Sequence, residues 1–205
     1  KNMVREILVV KKDLLFGEKY FQGFCPIDEK DYLEIVLNNF EYQERNDLLE
    51  NNPDFQQIIP YVWIINKKEG RVFLYKRAKT GNEGRLHDKY SGGVGGHIDK
   101  DTEEKSLDPI MDAMMRELKE EVLMQSYPLP KLIGFINDDA TDVGKVHFGV
   151  IAITESADDV KPLEDMSSGM FYSISEADKL ISDPNADIET WTKISWPSVR
   201  EFIEN

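Results

Sequence analysis

The order of apolar and polar positions divides the chain into segments of strand period and segments of helix period. Ile58 to Asn66 is rich in β-branched and aromatic residues, Lys67-Lys68-Glu69-Gly70 reads as a turn, and Arg71 to Arg77 resumes the strand pattern. The pair predicts a hairpin. Further strands are predicted at Glu6 to Phe16, Lys131 to Ile136, Lys145 to Thr154 and Met170 to Ile174. Helical spacing marks Asp28 to Asn38, with Tyr32, Ile35 and Val36 on one side, and Ile188 to Ile203; Ser175, with Ser-Glu-Ala-Asp capping character, opens another helix. The polar stretch Asn46 to Asp54, containing Asn51-Asn52-Pro53, is the best linker candidate. It separates an N-terminal extension, residues 1–57, from a main domain, residues 58–205. The extension has three readings: packing on the core, covering a site, or building a homodimer. Strands and helices that alternate without a regular βα period suit a mixed α/β sandwich.

The most informative stretch runs from Asp108 to Met124. Aspartate followed by Pro109 is a strong helix start, since the carboxylate accepts from an open backbone N–H and proline loses nothing at the first helical position. At about 100° per residue, Ile110, Met111, Met114, Met115, Leu118 and Val122 fall in an apolar arc of roughly 140°. Glu117 and Glu120 flank that arc and Glu121 falls just inside its edge, so three carboxylates cluster within about 100° of the wheel. Like charges at this spacing repel, and a hard divalent cation with oxygen ligands turns that repulsion into binding.

Arg116-Glu117-Leu118-Lys119-Glu120-Glu121-Val122 resembles the Arg-Glu-hydrophobic-x-Glu-Glu core of the Nudix box, and Gly92-Gly93-Val94-Gly95-Gly96-His97-Ile98 resembles the glycine-rich turn before it. Against the family pattern Gly-x5-Glu-x7-Arg-Glu-U-x-Glu-Glu-x-Gly-U, where U is a bulky aliphatic residue, the chain departs in three ways. Arg116 lies 20 positions after Gly96 rather than 14, which places a six-residue insertion within Asp99 to Ser106; Asp108 stands where the family has its first Glu; and Leu123 replaces the late Gly. The insertion reads as a charged loop able to move without breaking the core.

The resemblance implies a Nudix-type α/β/α sandwich with a mixed β-sheet. It also implies hydrolysis of a diphosphate linkage in a nucleoside diphosphate-X type molecule, with Mg²⁺ or Mn²⁺ held by Glu117, Glu120, Glu121 and the backbone carbonyl of Gly96. One of the glutamates, or a loop carboxylate among Asp138, Asp139, Glu155, Glu164 and Asp165, would be the general base, and Arg116 would orient Glu117. Arg77, Lys76 and Lys89 are candidate phosphate ligands, Arg in bidentate fashion. Two alternatives stay open: a non-catalytic Nudix-fold nucleotide-binding or regulatory module, and a diphosphate isomerase, for which Cys25, the single cysteine, is a poor candidate residue.

Composition narrows the partners. Thirty-nine acidic against 25 basic residues give a net charge of −14, so the electrostatic footprint of a nucleic acid polymer binder is missing and a small phosphorylated substrate is expected. The apolar run Ile7 to Val10 is bracketed by charges and too short for a signal peptide or a membrane span, which points to the cytoplasm. His87, His97 and His147 lack zinc-ligand spacing. Trp63, Trp191 and Trp196 are expected in packing rather than base stacking.

Overall fold

The structure is a computed structural model that describes residues 4–78 and 88–205; His87 and the stretch 79–82 lie outside the described residues. Burial of Ile7, Leu8, Val9 and Val10 makes β1 (Glu6–Lys11) a core strand. The strand stops earlier than its pattern suggested, because Lys12–Phe16 turns into α1 and is closed by Gly17 at φ +54°. After β2 (Gly23–Pro26), α2 (Tyr32–Asn39) starts where Asp31 accepts from Glu34 N at 3.1 Å, burying Tyr32 and Val36. β3 (Phe40–Glu44) follows.

The polar stretch expected as a linker carries a short helix. Asn46 Oδ1 accepts from Leu49 N at 3.0 Å to cap α3 (Asp47–Glu50), and Leu49 joins a buried cluster with Ile7 and Val9. The hairpin forms as predicted: β4 (Phe55–Asn66) and β5 (Arg71–Arg77) pair Ile65 with Val72 across a turn closed by Gly70 at φ +61°. β6 (Tyr90–Ser91) and β7 (Gly93–Val94) lead to the insertion, which folds as α4 (Lys100–Glu103) rather than a loose loop. Glu103 is 2% exposed and its carboxylate accepts from Asp99 N at 2.8 Å and Thr102 Oγ1 at 2.6 Å.

α5 (Pro109–Glu121) begins as predicted, with Met111 N donating to Asp108 Oδ1 at 3.0 Å. It ends at Glu121, so that Val122, counted in the helical arc, lies beyond it in β8 (Val122–Leu123), which pairs with a later strand. β9 (Lys131–Asn137), β10 (His147–Glu155), β11 (Lys161–Pro162), the partner of β8, and β12 (Met166–Ser173) follow. α6 (Ile174–Ser182) is capped by Ser173 rather than Ser175, through a reciprocal box with Glu176, and α7 (Thr190–Glu204) closes the chain.

The chain forms two compact units. In the first (Lys1–Tyr61, Gly95–Met114, Leu132–Ile151), β1 lies between β3 and β4, with Val9 opposite both Glu41 and Gln57, and β2 pairs with β9. The strands of residues 1–57 thus complete ladders with later strands, and Arg5 forks onto Asp99 at 2.6 and 2.9 Å. In the second (Val62–Val94, Met115–Lys131, Ala152–Asn205), β5 lies between β12 and β4, with β6 on β5 and β7 on β4. Trp63 is fully buried there, stacked on Trp196 at 5.9 Å and donating to Ser195 Oγ at 3.0 Å. Gly92 is needed for that packing, since a Cβ would sit 2.1 Å from the indole. Among the described residues, no helix is long and apolar enough to cross a membrane.

Candidate functional site

The carboxylates are set by the faces of α5. Ile110, Ala113, Met114 and Leu118 are buried, and Glu117, three residues after Met114, shares their stripe at 7% exposure. The helical wheel had put Glu121 closest to the core; the structure buries Glu117 more deeply. A buried carboxylate is costly unless paired, and Arg116 supplies the pair: its Nη1 donates to Glu117 Oε1 at 2.7 Å and to Glu120 Oε2 at 3.1 Å. The Glu120 side chain itself is 57% exposed.

Glu121 ends the helix. Its carbonyl accepts from Leu163 N at 2.9 Å, which ties the helix terminus to the segment carrying Asp165. Burial pushes the Glu121 carboxyl up from 4.5 to about 7; Arg77 opposes the rise, while Glu117, Asp165 and Glu120 add to it. Of the loop carboxylates considered from sequence, Asp165 is therefore one whose charge reaches Glu121. Asp165, Glu155 and Glu164 are all exposed, and Asp138 and Asp139 belong to the first unit, where they bond Gln22 and Tyr20.

The three candidate phosphate ligands separate. Neighbours on a strand face opposite sides, and Arg77 and Lys76 lie against different rings, Tyr75 and Tyr90. Arg77 ion-pairs with Glu189 and lies 5.7 Å from the Tyr75 ring centroid, and its positive charge opposes the rise of the Glu121 carboxyl. Lys76, opposite Tyr90 in the ladder, sits over that ring at 5.9 Å. Lys89 contributes a carbonyl to Arg77 N at 3.0 Å and its ammonium lies 3.5 Å from Asp187. Gly96 lies in the extended run between β7 and α4, in the first unit. The next residue, His97, is held by Gln57 Oε1 at 2.7 Å beside His147, and burial pushes its pKa well below the ordinary value.

Sequence reading missed Glu189. It is 5% exposed, receives Ser91 Oγ at 2.7 Å on one oxygen and Arg77 on the other, and lies 112 positions from Arg77. One local signal was available: a Glu immediately before a helix, where Ser, Thr, Asp or Asn is usual. That carboxylate makes no capping bond to α7.

Among the described residues no three His, Cys, Asp or Glu side chains are already converged as a metal cage; Glu117 and Glu120 instead share Arg116. Their chemistry nevertheless fits a hard cation, because the donors are carboxylate oxygens and exposed Glu120 is able to turn.

A glycine turn, a Pro-started helix bearing Arg116, Glu117, Glu120 and Glu121, and mixed α/β architecture place the chain in one class: it belongs to the Nudix hydrolase superfamily. It superposes on the crystal structure of Tm1382, a provisionally assigned Nudix hydrolase, with a TM-score of 0.74 and 27% identity, covering 96% of this chain and 99% of that one. The expected Nudix-type α/β sandwich is the observed fold class. The chain is also 34% identical over 202 residues to protein YmaB of Bacillus subtilis (strain 168), covering 94% of this chain and 96% of that protein. No family model matches the chain.

Proposed function

We propose that this chain is a Nudix-type pyrophosphohydrolase that cleaves the diphosphate linkage of a nucleoside diphosphate-X type small molecule with the help of Mg²⁺ or Mn²⁺. The observation that carries the reading is the end of α5, where Glu117 and Glu120 share Arg116 and the next carboxylate, Glu121, is pushed up to about 7 by burial. Glu117, Glu120 and Glu121 would hold the cation, which supplies charge neutralisation to the diphosphate and acidifies the attacking water. Arg116 keeps Glu117 and Glu120 on one side of the helix until a stronger counter-charge replaces it. One of these glutamates, or a loop carboxylate, would accept the proton that water gives up as its oxygen bonds phosphorus and the bridging P–O bond breaks. Arg77, whose charge is felt at Glu121, is the proposed phosphate ligand; Lys76, its neighbour on the strand, faces the opposite side.

The test is a panel of nucleotide sugars, dinucleoside polyphosphates, NADH, ADP-ribose and (d)NTPs with Mg²⁺, scored for phosphate-containing products. Turnover of at least one diphosphate that EDTA abolishes, and that Glu121→Gln lowers by about a hundredfold or more, is expected. A folded chain that hydrolyses none of them, or a Glu121→Gln variant with ordinary turnover, refutes the assignment.

A further inference from the structure

One cavity of the first unit gathers opposite charges that do not pair with each other. It encloses about 620 Å³ where the end of β1 runs into α1 beside the start of β4. Lys11, Lys12, Asp13 and Asp54 line it together with the rings of Phe16, Tyr20 and Phe55. Among the described residues none of those four charged side chains forms an ion pair. The geometry points to a second small-molecule site, outside the α5 carboxylates, that takes a nucleoside monophosphate: base against the rings, ribose hydroxyls to a carboxylate, phosphate to the lysines.

The walls are fixed before any ligand arrives. Lys11 lies opposite Phe55 in the ladder of β1 and β4, and Lys12 N donates to Asp54 O at 2.8 Å, so the two rims are tied through the backbone. Phe16 is almost fully buried and belongs to the base of the cavity. Tyr20 is the reverse: its ring is 47% exposed yet held, tilted on Phe16 at 4.9 Å with its hydroxyl donating to Asp139. Burial and that bond raise the hydroxyl above its ordinary pKa, so it stays a donor at neutral pH. An aromatic side chain already held in place offers a stacking face at little ordering cost. Asp139, considered from sequence as a loop carboxylate of the metal site, has the task of holding this ring.

The lining selects the ligand. Three rings favour a planar aromatic group. Lys12 Nζ lies 5.4 Å from the Tyr20 ring centroid, so a base seated on that ring brings its anionic substituent within reach of an ammonium, and Lys11 adds a second. Two ammoniums match the charge of one phosphate monoester, about −1.5 to −2 at neutral pH. A carboxylate accepts from ribose hydroxyls, which gives Asp13 and Asp54 a role that a bare aryl phosphate would leave empty. The volume lies within the range of about 300–1,000 Å³ common to small-molecule pockets.

The experiment is calorimetric titration of AMP, GMP, CMP and UMP, each in turn, into the full chain in EDTA at low salt. It is run on wild type, a Lys11→Met/Lys12→Met variant, Tyr20→Leu and Glu121→Gln, with folding checked by circular dichroism. At least one nucleotide is expected to bind wild type with a Kd below about 1 mM, and its nucleoside and orthophosphate each about tenfold or more weakly. The lysine variant is expected to weaken that nucleotide about tenfold or more, and Tyr20→Leu about fivefold or more. Glu121→Gln is expected to bind it as wild type does, because no cation is present to bridge a nucleotide to α5. Binding of none of the four, binding untouched by the lysine variant or by Tyr20→Leu, or orthophosphate binding as tightly as the nucleotide overturns the inference. Loss of binding in Glu121→Gln overturns it too, by placing the nucleotide at α5. If Tyr20→Leu does not fold, the lysine variant, whose changes fall at exposed and half-buried positions, decides. Turnover of a diphosphate needs the cation that EDTA removes, so none of these outcomes bears on the proposed hydrolysis.

Discussion

Replacing Glu121 by Gln removes a charge that the metal-free fold holds at a cost. The carboxyl is raised from 4.5 to about 7, chiefly by burial. At 1.36 kcal/mol per pKa unit, this corresponds to about 3 kcal/mol. Below about pH 4.5 the group is protonated in both folded and unfolded chains and costs nothing. Between there and about pH 7 the unfolded chain ionises first, and above that the folded chain must ionise as well, so the whole penalty is present. The wild-type chain in EDTA should therefore lose stability relative to Glu121→Gln as pH rises from 5 to 8. The amide must still be buried, which reduces the gain. A rise in Tm of about 4–8 °C for the variant at pH 8, shrinking towards zero at pH 5, is the expected outcome. Differential scanning calorimetry of both proteins in EDTA across that range measures it. A difference that is flat with pH, or a variant less stable at pH 8, would refute the account of Glu121 as a buried, ionisation-penalised carboxylate. Mg²⁺ should reverse the order by stabilising the wild type, by about 2.7 kcal/mol at a hundredfold excess over Kd, and the variant far less.

Arg116→Met should cost about 2–3 kcal/mol in EDTA at pH 7, read from the urea midpoint, because it strips the counter-charge from buried Glu117; Glu120→Ala, at an exposed position, should cost less than about 0.5 kcal/mol. Deleting residues Lys100 to Lys105 restores the family spacing but removes Glu103 and its two bonds, so it should lower stability by about 2 kcal/mol or more. A deletion that melts like the wild type would return the insertion to a passive surface loop.

Some of this protein is determined by local order alone. The Asp108-Pro109 start, the Arg116, Glu117, Glu120, Glu121 spacing and the hairpin about Gly70 depend on neighbours within a few residues, and each forms as its residues dictate. Signals also existed for features read differently. Asn46 is an ordinary helix cap, but the polar composition around it outweighed Leu49, whose burial depends on Ile7 and Val9 far away in the chain. Strand alternation suffices to send Lys76 and Arg77 to opposite faces; which face meets the carboxylates depends on where α5 and α7 are brought. The length of α5 was set by competition, since Val122 and Leu123 satisfy their backbone in a ladder with Lys161 and Pro162 instead of in another helical turn. The depth of Glu117 against Glu121 and the hold of Glu189 on Arg77 belong wholly to tertiary structure. Burial and charge pairing act through distance in space, and the 112 positions between Arg77 and Glu189 leave no periodic trace along the chain.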